Sequence, residues 1–309
     1  MKKLVSLFLC LVLVFSMAAC GNNGGTEQGG EKNPGTENPG TTTNVVEEAA
    51  MAYFANFADD RNIISAAKLI EKMAAGEEVF IVDVRQADAY ATSHLKGAVN
   101  APYGAGVVEA LEHIPNDVTV YVNCYSGQTS SQVVALLRAA GKYAVNISSG
   151  FNNGISKAEG VDAWLETTVN PLPTETYAVD DAIEAAISKY FTDATTGTFA
   201  SFHFGVDKVK ELVDAESDAY TILDVRQAAD YAEGHIKGAM NIPFGKNMQE
   251  SFNKIPKDKP VIIYCYSGQT ASQVLGTLRL LGYEAYNMPG GMGAEGGSGW
   301  LGAGNPVVK

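Results

Sequence analysis

Cys124-Tyr125-Ser126-Gly127-Gln128-Thr129 and Cys265-Tyr266-Ser267-Gly268-Gln269-Thr270 are one hexapeptide written twice, 141 positions apart. The same spacing carries Asp83-Val84-Arg85-Gln86-Ala87 onto Asp224-Val225-Arg226-Gln227-Ala228, His94 onto His235, Asn100 onto Asn241, Pro102 onto Pro243 and Asn146 onto Asn287 without a gap. Outside this block small insertions appear, since Tyr53-Phe54 matches Tyr190-Phe191 and Trp164-Leu165 matches Trp300-Leu301. A repeat of about 130 residues is a domain and not a solenoid unit, so two globules are expected. Pro171-Leu172-Pro173 breaks helix and marks the seam. The first domain then covers residues 45–173 and the second residues 174–309.

Working outward from the cysteines, each copy alternates strand and helix. Val79–Asp83 and Thr221–Asp224 are short apolar runs ending in a carboxylate, and 118–123 and 260–264 are a second such pair rich in Val, Ile and Tyr. Continuous apolar runs of this length read as buried parallel strands. Residues 130–140 and 271–281 carry helical spacing, with Val133, Leu136 and Leu137, and Val274, Leu278 and Leu281, on one face. Gly141 and Gly282 follow as C-terminal stops. The predicted class is therefore α/β: two domains, each a parallel sheet with helices on both faces. Ligands of such sheets bind at the carboxyl ends of the strands.

Each cysteine stands where a central strand ends and a helix begins. The first-turn amides of a helix lack internal partners, and the dipole there favours negative charge, so a thiolate or persulfide anion is stabilised at that point. Gly127 and Gly268 permit the tight turn, and Ser126, Thr129 and Ser130 and their counterparts supply hydroxyl donors.

Asp-Val-Arg after a strand, then 93–102 (Ser-His-Leu-Lys-Gly-Ala-Val-Asn-Ala-Pro) or 234–243 (Gly-His-Ile-Lys-Gly-Ala-Met-Asn-Ile-Pro), then a cysteine loop entering a helix, resembles the rhodanese-like sulfurtransferases. The resemblance covers nearly all of residues 60–309. It implies that Cys124 and Cys265 take a sulfane sulfur from a donor, hold it as a persulfide and pass it to a nucleophilic acceptor. The loops Tyr125, Ser126, Gly127, Gln128, Thr129, Ser130 and Tyr266, Ser267, Gly268, Gln269, Thr270, Ala271 would cradle that persulfide. Thiosulfate, a persulfide or a polysulfide would be the donor and a thiol or protein the acceptor, with no metal and no organic cofactor. Many family loops also hold an arginine or lysine for an anionic donor, whereas both loops here are neutral.

Competing readings leave signatures of their own. A related cysteine phosphatase needs an arginine six residues after the cysteine to clamp phosphate, and Ser130 and Ala271 stand there. A binding or sensing module without turnover would show a buried or unreactive cysteine. A Cys124–Cys265 disulfide would need the two sheet ends docked together. His94 and His235 read as structural histidines bonded to backbone, and Arg85 and Arg226 as partners of Asp83 and Asp224 in local ion pairs. Trp164 and Trp300 read as core. The amphipathic stretches Val45–Phe57 and Val179–Phe191 read as helices covering the sheet, with partner binding as the alternative.

The 309 residues carry 46% hydrophobic and 18% charged side chains, enough apolar surface for a folded core. A net charge of −13 argues against a nucleic-acid partner, which requires a basic face. The four cysteines, at 10, 20, 124 and 265, form no pair at metal-ligand spacing. Met1-Lys2-Lys3, an apolar run from Leu4 to Phe15 and small residues before Cys20 form a secretory signal over residues 1–19. Ala18-Ala19-Cys20 resembles a bacterial lipobox, which implies a diacylated Cys20. The alternative is an ordinary signal cleaved nearby, leaving Cys20 as a thiol. Residues 20–44, rich in Gly, Asn, Thr, Glu and Pro, read as a flexible tether. The expected location is extracytoplasmic, with lipid as the sole membrane contact.

Overall fold

A computed structural model describes residues 44–57 and 61–309. The signal segment, Cys20 and the tether up to residue 43 lie outside the described residues.

The first repeat runs α1 (Val45–Ala55), β1 (Ile63–Ile64), α2 (Ala66–Ala74), β2 (Phe80–Asp83), α3 (Ala87–Thr92), β3 (His94–Leu95), β4 (Val99–Asn100), α4 (Ala105–Ala110), β5 (Val120–Asn123), α5 (Gln128–Ala139), β6 (Ala144–Ile147) and β7 (Leu165–Glu166). The second runs α6 (Asp181–Thr196), α7 (Val206–Asp214), β8 (Thr221–Asp224), α8 (Ala228–Glu233), β9 (Met240–Asn241), β10 (Val261–Tyr264), α9 (Gln269–Leu280), β11 (Ala285–Asn287) and α10 (Gly299–Gly302). Strand order is β1-β6-β5-β2-β4 in one sheet and β11-β10-β8-β9 in the other, and every pairing within them is parallel. The α/β class, with parallel sheets flanked by helices, is as the sequence predicts. The four apolar runs form strands β2, β5, β8 and β10. The central helices end at Gly141 (φ 78°) and Gly282 (φ 81°), in the left-handed region that lets a glycine close a helix.

Register fixes what lies together at the carboxyl edge. Asp83 pairs with Asn123 and Asp224 with Tyr264, so each Asp-Val-Arg carboxylate lies beside the residue immediately before a cysteine. Asn100 and Asn241 lock the next strand to that edge: each side-chain amide donates to the carbonyls of the aspartate and the arginine.

The two repeats, each built around its own sheet as the sequence period suggests, are packed against each other. Residues 43–309 are one compact unit. Each sheet keeps a private apolar cluster on one face, around Leu69, Tyr90 and Ile155 in the first repeat and Val209, Tyr264 and Trp300 in the second. Their other faces share a single cluster that includes both cysteines. The physical reason is an exchange of helices. From α1, Phe54 meets Phe244 and Phe252 of the second repeat edge-on at 5.6 and 5.7 Å, and the Asn247 amide donates to the Phe54 carbonyl. From α6, Phe191 meets Tyr103 of the first repeat at 5.1 Å. The central helices α5 and α9 pack on each other, and a Cβ added at Gly276 would stand 2.8 Å from Cβ of Ala135. The amphipathic helices are core-covering helices, as expected, and each also packs on the other repeat, α1 lying on both α5 and α9 and α6 on both α4 and α9. Trp300 is core as expected, while Trp164 is only half-buried at the edge of its cluster.

Candidate active site

Both cysteines sit at the carboxyl end of a central strand, one residue past β5 and β10. Gly127 (φ 84°) and Gly268 (φ 87°) cap the following helices in a left-handed conformation that a side chain would strain. That turn aims one backbone amide at each sulfur: Gly127 N–H and Gly268 N–H donate to Sγ at 3.1 Å. In the first repeat Ser130 Oγ also stands 3.1 Å from Cys124 Sγ and bonds to Asn146 Oδ1 at 2.6 Å. Ala271 removes that hydroxyl from the second site, and Asn287 Oδ1, buried, has no hydrogen-bond partner among the described residues. Of the hydroxyls expected around the sulfur, Ser130 reaches it. Among the described residues, Ser126, Thr129, Ser267 and Thr270 make no bond to it.

A turn from the end of the next strand backs each loop. Phe151 N–H donates to the Cys124 carbonyl at 2.7 Å and Asn152 N–H to the Tyr125 carbonyl at 3.0 Å. Met292 and Gly293 do the same for Cys265 and Tyr266, at 2.7 and 2.9 Å. With its carbonyl and sulfur both held, each cysteine is 1% exposed and its thiol is free. The rim is open: Tyr125 and Tyr266 are 39% and 41% exposed.

The tyrosines tie the loops to the Asp-Val-Arg segment. Gln86 N–H donates to the Tyr125 hydroxyl and Gln227 N–H to the Tyr266 hydroxyl, both at 3.3 Å. Tyr266 donates in turn to Asp230. Burial first, then the Asp230 carboxylate, pushes the Tyr266 hydroxyl above the ordinary tyrosine value. Asp230, four residues after Arg226, thus bonds the loop tyrosine, and Ala89 stands at the matching position in the first repeat.

The arginines and histidines serve the frame. Arg85 and Arg226 pair with Asp83 and Asp224 at 2.7 Å and donate to the carbonyls of Ser93 and Gly234. Burial alone would lower Arg226, but hydrogen bonding and charge from Asp224 hold it above the ordinary arginine value. His94 Nδ1 lies 2.7 Å from the Tyr90 carbonyl and His235 Nδ1 2.9 Å from that of Tyr231, each ring stacked on its tyrosine. They are the structural histidines the sequence suggested.

The reach of Gln128 and Gln269 was not legible. Gln269 Oε1 accepts from Asn146 and Ser149 of the first repeat, and Gln128 Oε1 from Asn287 of the second. A Cβ on Gly127 would strike Gln269, and one on Gly268 would strike Gln128. A glutamine opening a helix carries no mark of which repeat it bonds. Asn146 and Asn287 carry a signal in the sequence, the same residue at the end of the strand beside the cysteine strand in both repeats.

Among the described residues, no cluster of His, Cys, Asp or Glu could hold a metal ion, and no helix is long and apolar enough to cross a membrane.

Comparison with known proteins gives two matches to the family model described as the rhodanese-like domain, over residues 65–166 and 205–294, more than half of the chain. The uncharacterized protein YqhL of Bacillus subtilis is 40% identical over 77 residues, 25% of this chain and 60% of that protein. The thiosulfate sulfurtransferase GlpE of Coxiella burnetii is 39% identical over 71 residues, 23% and 65%. The putative sulfurtransferase YtwF of B. subtilis is 33% identical over 84 residues, 27% and 80%. The chain thus spans less than two thirds of YqhL and GlpE. Among solved structures, SseA of Escherichia coli, titled a 3-mercaptopyruvate sulfotransferase, matches 74% of this chain and 98% of its own at 21% identity and a TM-score of 0.36.

Proposed function

This chain belongs to the rhodanese-like family, and from that premise we propose that it is a sulfurtransferase working through a persulfide on Cys124 and on Cys265. The observation that carries the reading is the sulfur's setting, in both repeats, at a strand end with a backbone amide donating to it. An amide so placed stabilises the anion on either side of the transfer. In the first step a cysteine thiolate attacks the sulfane sulfur of the donor. The bond within the donor breaks, its electron pair leaves with the remainder (sulfite, if the donor is thiosulfate), and Cys–S–S⁻ remains. In the second, an acceptor thiol attacks the outer sulfur, becomes the new persulfide and returns its proton to the cysteine. No net oxidation occurs.

Neutral loops leave a dianion such as thiosulfate without a cationic clamp, which counts against thiosulfate as the natural donor. The sequence supports an extracytoplasmic protein held to a bacterial membrane by lipid on Cys20. Donor and acceptor would then meet the loops outside the cytoplasm.

One observation favours a second reading. Both cysteines are 1% exposed, as in a module that uses the fold for binding without turnover. Peptide-resolved mass spectrometry of the reduced chain, exposed to polysulfide or thiosulfate, separates the two. A gain of one sulfur at Cys124 or Cys265, removed by cyanide and absent from Cys124→Ser or Cys265→Ser, supports transfer. No sulfur at either cysteine from any donor leaves the binding module.

A further inference from the structure

The first cysteine loop is braced by a residue of the second. Gln269 Oε1 accepts from Asn146 Nδ2 at 3.1 Å and from the Ser149 amide at 3.0 Å. Asn146 leads onward, because its Oδ1 bonds Ser130, whose hydroxyl stands against Cys124 Sγ. Ser149 also leads onward, because it opens the turn from which Phe151 holds the Cys124 carbonyl. Two routes therefore join Gln269 to Cys124, one through the sulfur and one through the backbone.

The reverse direction is weaker. Gln128 Oε1 accepts from Asn287 Nδ2 at 3.0 Å, but Ala271 stands where Ser130 does, and the buried Asn287 Oδ1 is left without a donor. Gly290 replaces Ser149, and among the described residues its amide makes no bond to Gln128. The path stops short of Cys265.

We propose that Gln269 is a positioning residue for Cys124 in the opposite repeat, and that the two sites are coupled unequally, Cys124 depending on the second loop more than Cys265 depends on the first. The proposal rests on the sulfurtransferase reading for its consequence, since the orientation of Ser130 matters where Cys124 sulfur reacts. Its physical basis is the single proton of the Ser130 hydroxyl, for which Asn146 Oδ1 and Sγ compete. By fixing the Asn146 amide, Gln269 decides which group Ser130 faces. Without it, two donors between the loops lose their acceptor and the amide is free to turn.

The test is the rate at which iodoacetamide, small and neutral, modifies each cysteine of the full chain, resolved by peptide mass spectrometry. Gln269→Ala is expected to speed Cys124 by about tenfold, the worth of one to two net hydrogen bonds, because a turned Asn146 amide donates to Ser130 and releases the Ser130 proton to Sγ; the gain should exceed any at Cys265 and vanish in the Ser130→Ala background. Gln269→Glu keeps the acceptor oxygen and should return Cys124 most of the way to the parent rate. Gln128→Ala should affect Cys265 less than Gln269→Ala affects Cys124. Ala271→Ser, which gives Asn287 Oδ1 a donor and Cys265 a neighbouring hydroxyl, should enlarge the effect of Gln128→Ala on Cys265.

A Cys124 rate that is unchanged or lowered in Gln269→Ala, or raised as much with Ser130→Ala as without it, overturns the proposal, because simple loosening of a buried loop speeds alkylation whether or not Ser130 is present. So does a larger gain at Cys265 than at Cys124. Sulfane uptake by the same samples separates this from the proposed function. Ser130-dependent speeding of Cys124 alkylation with no sulfur uptake refutes the transferase and leaves the positioning role. Sulfur uptake with an unaltered Cys124 rate does the reverse.

Discussion

At the scale of single residues, the site is framed by buried charge. Asp224 and Arg226 have side-chain exposures of 0% and 7% and meet at 2.7 Å, with the guanidinium further bonded to the Gly234 carbonyl. Such a pair owes little net stability to its Coulomb attraction, since two ions had to be desolvated. Breaking it by removing one partner is a different matter, because the other ion stays buried and uncompensated. Asp224→Ala is therefore expected to cost about 3–5 kcal/mol, read as a lowered urea midpoint at unchanged m-value. A cost below about 1 kcal/mol would mean that Arg226 finds water or another carboxylate, as an exposed ion pair would. The sequence disclosed this pair because its members are two residues apart at a strand end, where the backbone brings them together whatever the rest of the fold does. It also disclosed the cysteines and their glycines, for the same reason of local geometry. It could not disclose that Ser130 and Ala271 make the two sulfurs chemically unequal: both positions read as the helix's first turn, and the difference appears only when Asn146 and Asn287 are brought alongside.

At the scale of elements, strands and central helices were legible because their periods, continuous apolar runs and a 3.6-residue stripe, report burial directly. The destinations of α1 and α6 were not. An amphipathic face specifies that something apolar covers it and is silent on which copy of a repeat supplies the cover. Phe54 illustrates the outcome, fully buried yet surrounded by Phe57, just past the end of its own helix, and by Phe244 and Phe252 of the other repeat. Truncating it to alanine opens a cavity between the repeats and should destabilise the protein by about 3–5 kcal/mol. Because the cavity borders both, hydrogen exchange in β5 and in β10 should accelerate together. Acceleration confined to the first repeat would show that α1 belongs energetically to its own half.

For the whole molecule, the shared cluster makes a claim about cooperativity. Two family domains in tandem are by default two cores joined by a modest interface, and would unfold in two steps. Here α5 lies on α9, each repeat's first helix packs on both repeats, and the glutamines of the two cysteine loops bond across the same boundary. Separating the repeats would strip the cover from both central helices at once and leave Phe244, Phe252 and Tyr103 facing water. Residues 45–173 and 174–309 produced as separate chains are therefore expected to be unstable or aggregating alone and to regain ordered structure when mixed. The joined protein should show one calorimetric transition whose van't Hoff and calorimetric enthalpies agree. Two resolved transitions, or a half that folds alone with the parent's near-ultraviolet dichroism, would mean that the exchange of helices is a contact between finished domains. A single transition would mean that neither cysteine loop exists without the other, so loss of one repeat would be felt at both sulfurs.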